Sequence, residues 1–237
     1  MINNYPIINI YEQNSLRSKI SSQLLFGEKF QILRKHDGWL KIKTSYDKYI
    51  GYIKNRKFIK NIKITHKTSS LEANLYSKPK KNSKIDIKLS FCSLISVSKE
   101  TKNFYKFGKY WIRKIDVKPL NYKQDIFRNL NMFLNTPYKW GGKSYKGIDC
   151  SALVQLFYKF NNLYCPRDTK DQIKYFKKPK KIKKDAIIFW RGHVAICLSK
   201  KNLIHAYGPK KKVLIMNIKK TVKLIEQTAK LQVIGIR

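Results

Sequence analysis

The sequence predicts an α+β protein: a front half of small β-barrels, then a back half that places a helix ahead of an antiparallel sheet. Three observations carry that expectation. Residues 1–118 hold short apolar runs broken by turn residues, with no long amphipathic stretch, as small barrels do. Directly after Cys150, apolar residues recur at three- and four-residue spacing, at Ala152, Leu153, Leu156, Phe157 and Phe160. Beyond residue 185 strand-like runs return, and helix first, sheet second is an α+β layout.

The chain has 237 residues, 43% of them hydrophobic, enough to bury a sizeable core in two or three domains. No run approaches ~18 consecutive apolar residues, so no membrane-spanning helix is predicted. The start, MINNYPIINIYEQNS, lacks a basic segment followed by an apolar one and a small-residue cleavage site. The expectation is therefore a cytoplasmic protein, with export to the cell wall by an unrecognised route as the alternative. Cys92, Cys150, Cys165 and Cys197 are scattered without paired spacing, which argues against a disulfide framework. Lys plus Arg number 52 against 14 Asp plus Glu, a net charge of +38. Such a balance suits a polyanion partner, but lysine is dispersed from end to end and no nucleic-acid motif accompanies it. A lysine-rich composition covering every solvated face is the better reading, with no nucleic-acid or membrane partner expected. The lysine runs in 177–184 and 210–212 read as loop and turn punctuation.

In chain order, the first predicted unit is 1–62, a barrel of short strands around Phe30–Ile32–Leu33, then Trp39–Leu40–Ile42 after a turn at His36-Asp37-Gly38, then Tyr49–Ile53 around Gly51. Residues 63–118 repeat the pattern less clearly and form a second predicted barrel. Pro119 and Leu120 mark a linker, so 119–237 is the third unit. It opens with an apolar-rich helix predicted over 125–134, ending before Thr136-Pro137. The stretch 136–151, TPYKWGGKSYKGIDCS, supplies a glycine-rich turn and delivers Cys150 to the mouth of the next helix. An irregular segment is predicted through Pro166 and 177–184. Strands follow at 186–190, 193–198, 203–206, 213–218 and 231–236, with a helix at 219–227.

The chemistry concentrates on three residues. A cysteine beside the unpaired N–H groups of a helix start is favoured as thiolate and has ready donors for an oxyanion. His193 and His205 are two of only four histidines, and both lie on predicted strands beside turns. Nucleophile, base and a polar group orienting the base is what cysteine acyl transfer needs. Cys150 is thus the expected nucleophile, His193 the general base and His205 its orienting partner. The Cys150 N–H and the Tyr138 hydroxyl are candidate oxyanion donors. One Cys with two His can also begin a metal site, with Asp149 as a further ligand, but Asp149 beside a helix start reads better as a cap. No metal and no cofactor are expected.

The segments PYKWGGKSYKGIDCSALV, YCPRDT, DAIIFW, GHVAICL and LIHAYG, in that order, resemble the NlpC-type cell-wall peptidases, papain-like cysteine enzymes that cut peptidoglycan stem peptides. The likeness covers about 121–237. Ala152 stands where the family usually has glycine, and Lys184 where a glycine commonly precedes the aspartate matched by Asp185. The run FGEKFQILRKHDGWLKIKT…YIGYIKN resembles a bacterial SH3-like (SH3b) domain, and 63–118 resembles a second. Together these resemblances imply two SH3-like barrels followed by a papain-like α+β peptidase domain. In family members with front SH3b domains they also imply cleavage between γ-D-glutamate and a diamino acid, in murein peptides with a free N-terminal L-alanine. Asp149 would then pair with the ammonium, while Tyr138, Trp140, Ser151 and Thr169 shape the pocket. Trp140 could equally be core and Thr169 a helix cap. Arg167 would pair with Asp168 or another nearby carboxylate. The front barrel would exclude longer chains, with Glu28 and Tyr49 as its contributors.

The resulting expectation is a recycling peptidase acting on L-Ala-γ-D-Glu-diamino acid peptides. Two alternatives are a lytic endopeptidase of intact peptidoglycan and a non-catalytic SH3b protein that binds wall polymer. The complete Cys150, His193, His205 set argues against the last.

Overall fold

The computed structural model describes residues 1–177 and 181–237. Strands β1 (Ile7–Tyr11), β2 (Ile20–Leu25), β3 (Phe30–His36), β4 (Trp39–Thr44) and β5 (Ile50–Lys54) form one antiparallel sheet, ordered β2-β1-β5-β4-β3. The β3–β4 hairpin turns where the sequence places it: Asp37 and Gly38 both take positive φ, 43° and 72°, the geometry that matches the twist of the flanking strands. Alternate inward residues, among them Ile8, Ile10, Leu40, Ile42 and Ile53, make the core of this unit. Its ladder does not close, since β2 and β3 remain at opposite edges. The expected barrel is an open sheet here.

The next strands are β6 (His66–Thr68), β7 (Glu72–Tyr76), β8 (Lys84–Ser90), β9 (Leu94–Ile95), β10 (Lys99–Glu100), β11 (Phe104–Phe107), β12 (Tyr110–Arg113) and β13 (Val117–Pro119). They divide between a sheet β10-β11-β12-β7-β8 and a small one, β13-β6-β9, again without closure. Ala73, Leu75, Leu89, Phe107 and Ile112 pack between them.

The back half adds a two-stranded turn, β14 (Lys143–Ser144) with β15 (Gly147–Ile148), then α1 (Cys150–Phe160) and α2 (Thr169–Tyr175). Strands β16 (Ile187–Trp190), β17 (His193–Cys197), β18 (Asn202–Tyr207) and β19 (Lys212–Asn217), helix α3 (Ile218–Ala229) and β20 (Val233–Ile236) complete it. The sheet order is β19-β18-β17-β16-β20, antiparallel throughout. Side-chain alternation splits its apolar residues in two. Ile187, Phe189, Val194, Ile196 and Ile204 face α1, while Ile188, Trp190, Ala195 and Cys197 face Ile218 and Ile225 of α3. Buried on nearly every side, α1 is a core helix, and Phe91 from the second unit stacks on its Phe160 at 4.8 Å.

Two local expectations fail for identifiable reasons. The helix expected over 125–134 is only a 3-10 turn, Leu130–Phe133, because Asn129 enters it in the left-handed conformation, φ 64°. The segment read as irregular contains α2. Of the run 177–184, residues 178–180 lie outside the described residues.

Candidate active site

Cys150 opens α1, and the extended Asp149 before it caps the helix: its Oδ1 accepts the Ala152 N–H at 2.8 Å. The same carboxylate accepts the Gly141 N–H at 3.0 Å and two guanidinium bonds from Arg167, at 2.6 and 3.0 Å. Arg167 is buried and also donates to Ser151 Oγ at 2.9 Å and to Ser22 Oγ of β2 at 3.0 Å. Asp149 therefore fixes the turn that presents Cys150, and its charge is already met by a bidentate cation. The structure thus pairs Asp149, the expected partner of a substrate ammonium, with Arg167. It also places Arg167 on Asp149 rather than Asp168.

The docking of this turn on the front sheet explains one glycine of the Trp-Gly-Gly run. Gly141 sits at φ +69°, and a Cβ there would lie 2.4 Å from the Ile20 carbonyl oxygen of β2. Two residues on, the Lys143 N–H donates to Gln23 Oε1 at 2.8 Å.

The Cys150 thiol is buried, and its pKa is pushed up to about 12, first by burial and then by the Asp149 carboxylate. The Val194 N–H, the Arg167 charge and the Ser151 N–H pull the other way without winning. The helix start was expected to favour thiolate. Burial first, and the capping carboxylate second, outweigh that influence and favour the thiol over the thiolate. Iodoacetamide should accordingly label Cys150 slowly at pH 7, with a rate rising about tenfold per pH unit toward pH 10. Mass spectrometry of the Cys150 peptide reads this out, and a flat rate above pH 5 would show a preformed thiolate instead.

His193 and His205 stand on neighbouring strands, with His193 Nε2 2.9 Å from His205 Nδ1. His205 Nε2 lies 3.4 Å from the Met216 thioether sulfur, a weak acceptor only, and its ring stacks on Tyr207 at 4.7 Å. Because Met216 cannot donate, His205 holds its proton on Nε2 and accepts the His193 Nε2–H at Nδ1. That leaves Nδ1 of His193 as the basic nitrogen. Burial lowers His193 to about 4; burial and then His193 lower His205 to about 3. Both imidazoles are neutral at pH 7. Helix α1, opened by Cys150, packs on the sheet that carries this pair, with Cys150 and Val194, the residue after His193, in one buried cluster.

A cavity of about 270 Å³ opens over Cys150. Tyr138, Trp140, Asp149, Ser151, Thr169 and Tyr49 all border it, as does Gly192. Tyr138 packs its ring on Gly208, and burial, then Cys150 and Asp149, raise its pKa, so the phenol remains a donor. Trp140 is 62% exposed, which settles it as rim rather than core. Thr169 begins α2 behind the N-cap Asp168. The Tyr49 hydroxyl reaches the Ser21 carbonyl at 3.5 Å.

Glu28 is not among these residues. It is buried at the other end of α1, where Lys143 donates to both its oxygens at 3.0 and 3.2 Å, Lys159 adds an ion pair, and the Leu25 N–H donates at 2.7 Å. An amine-sensing role is thereby corrected to a structural one. The front-unit residues that do face the cavity besides Tyr49 are Glu12, just after β1, and Ser21 of β2. Glu12 makes no ion pair among the described residues. No local pattern in the sequence marks it. Gln172 of α2 was also missed: its Nε2 donates to the Ser151 and Pro166 carbonyls, both at 2.9 Å, and so steadies the start of α1.

A cysteine at the head of a core helix, packed on an antiparallel sheet that carries a histidine pair, is an arrangement suited to cysteine acyl transfer. Residues 135–229 match the NlpC/P60 family and residues 10–58 match the bacterial dipeptidyl-peptidase SH3 domain. The chain is 29% identical over 175 residues to the γ-D-glutamyl-L-lysine dipeptidyl-peptidase of Bacillus subtilis, which covers 65% of this chain and 58% of that protein's length. It is 24% identical over 228 residues to dipeptidyl-peptidase 6 of Lysinibacillus sphaericus, covering 84% of both. The crystal structure of an NlpC/P60 family protein from Bacillus cereus superposes with a TM-score of 0.85 at 20% identity, over 100% of this chain and 98% of the other, which establishes the shared fold. No helix among the described residues is long and apolar enough to cross a membrane.

Proposed function

We propose that the protein hydrolyses the γ-D-glutamyl–diamino acid bond of free murein peptides that begin with L-alanine, as a step of peptide recycling. The observation that carries this reading is the cavity wall. Glu12 just after β1, Ser21 of β2 and Tyr49 just before β5 line the space over Cys150, and Glu12 brings a carboxylate that makes no ion pair among the described residues. A peptide amine two residues from the scissile bond has a counter-ion there, and a chain extended past that amine meets the sheet. The names of the Bacillus subtilis and Lysinibacillus sphaericus relatives accord with this.

In this reading the Cys150 sulfur attacks the γ-carbonyl carbon as His193 Nδ1 takes its proton, and His205 steadies the imidazolium. With thiol and imidazole both neutral at rest, attack and proton transfer belong to one step rather than following a preformed ion pair. The Cys150 N–H and the Tyr138 hydroxyl receive the oxyanion. His193 then returns the proton to the departing amine, and water, activated by the same nitrogen, cleaves the thioester. We also read 1–62, 63–118 and 119–237 as three domains, the second an SH3-like unit like the first; its antiparallel β7, β8, β11 and β12 support this.

The test offers L-Ala-γ-D-Glu-diaminopimelate, its L-Lys counterpart, an N-acetylated form and purified sacculi, with products identified by mass spectrometry. Free tripeptides should be cut at least about 100-fold faster than the acetylated form; equal cleavage of sacculi would sink the recycling reading. Glu12→Gln should raise KM for the free tripeptide about 10- to 100-fold, the worth of a charged hydrogen bond, while acetylated peptide is barely affected.

A further inference from the structure

A second cavity lies apart from the one over Cys150. It measures about 640 Å³ and lies where the first sheet, the second unit and the C-terminal end of α1 meet. Five lysines line it, Lys29, Lys63, Lys67, Lys143 and Lys159, against the carboxylates Glu28 and Asp47, a formal charge of +3. Lys67, Lys143 and Lys159 are only 1%, 2% and 9% exposed. Buried lysine is rare unless it is paired, so the partners matter.

Lys67 donates to the Tyr122 carbonyl at 2.7 Å, to the Phe160 carbonyl and to Asn162 Oδ1 at 3.5 Å. It caps the C-terminus of α1 and has no carboxylate partner among the described residues. Lys143 spends its bonds on Glu28. Among the described residues Lys159 donates to Glu28 Oε1 alone, which leaves two of its three N–H donors without an acceptor there, beside the Tyr46 ring at 5.7 Å. Asp47 offers little relief, for its oxygens already accept bonds from Thr44, the Tyr49 N–H and Gln155. One carboxylate thus serves two buried ammonium groups, and a third has none. The rest of the wall is mostly apolar, with Ile64, Leu94, Leu120, Leu163 and Tyr164 beside Thr44, Ser45 and Asn162.

We propose that this cavity binds a small organic anion, a carboxylate or phosphate monoester on a short apolar body. Its anionic group takes the free donors of Lys159 beside Lys143, with exposed Lys63 at the entrance, and its apolar body lies against Tyr46 and Leu163. The volume falls in the range of small-molecule sites, mostly apolar with a few convergent polar groups. The site is separate from the catalytic one: Lys159 and Cys150 are nine positions apart on α1, about 13 Å along the helix. It does not depend on the peptidase reading.

Octanoate and octyl phosphate are suitable probes, with octylamine as the cationic control, all at fixed ionic strength. Either anion should raise Tm saturably, by about 5 °C or more at a hundredfold excess over Kd, and octylamine should not. The larger response identifies the carboxylate or the phosphate as the preferred group. Lys159→Met should abolish the response, and so should Leu163→Trp, which fills the mouth while leaving every lysine in place. If Lys159→Met does not fold, Leu163→Trp decides alone. Absence of any saturable rise, an equal rise with octylamine, or a rise that survives the folded variants would overturn the proposal.

Discussion

Cys150→Ser is expected to fold as the parent does and to lose turnover of the tripeptide by a factor of about 10⁴ or more in kcat/KM. The substitution changes one atom at a buried position, and the Asp149 cap and Arg167 pair that shape the turn do not involve the thiol. Chemistry suffers because a serine hydroxyl is far harder to deprotonate than a thiol, and His193, held near 4, is a weak base for it. His193→Ala should be equally damaging and the double variant scarcely worse, since residues acting as one unit are not additive. Product release by mass spectrometry, with Tm recorded in parallel, checks both. The assignment fails if Cys150→Ser stays active while a folded alanine variant of Cys92, Cys165 or Cys197 is dead.

The parts of this arrangement that sequence reveals are those made by neighbours along the chain. The apolar spacing after Cys150 predicts α1, Asp37-Gly38 predicts a hairpin, and Arg191-Gly192 predicts the turn between β16 and β17 that sets His193 at a strand start. What is not legible depends on contacts between distant positions. Lys159 and Glu28 are 131 residues apart, and Lys143 and Gln23 are 120 apart. Glu28 looks like an ordinary turn carboxylate beside Gly27. Only the assembled fold shows that Leu94 leaves no room over that glycine and that two lysines close on the carboxylate. Glu12 is hidden for the opposite reason: it is exposed on its own sheet, and its relation to Cys150 arises only when β2 docks on the catalytic turn. The upward shift of the Cys150 thiol is hidden in the same way, because its first cause, burial, arises only when α1 is packed into the core.

Glu28→Ala is expected to destabilise the protein by about 3–5 kcal/mol, a Tm fall on the order of 10 °C, because it strands two buried ammonium groups. The catalytic constants of whatever remains folded should be unchanged, including the preference for free over acetylated peptide, since Glu28 does not border the cavity over Cys150. The pH dependence has a definite sign. Burial alone would raise the Glu28 carboxyl, but the charges of Lys143 and then Lys159 overcome it and hold the pKa at about 2, below the ordinary 4.5. A depressed carboxyl contributes stability that is present above 4.5 and is lost as pH falls toward 2. His193 and His205, depressed from 6.5 to about 4 and 3, act in the same direction: their share is present above 6.5 and is lost as pH falls through those values. Urea unfolding of the parent should therefore show stability falling steadily from pH 6.5 downward, and Glu28→Gln should flatten only the part below 4.5. Adding Lys159→Met to Glu28→Ala removes one of the stranded charges and should recover a good part of the loss. A Glu28→Ala protein within about 0.5 kcal/mol of the parent would mean that water or an ion already balances these lysines, and the buried ion pair would not be what joins the front sheet to α1.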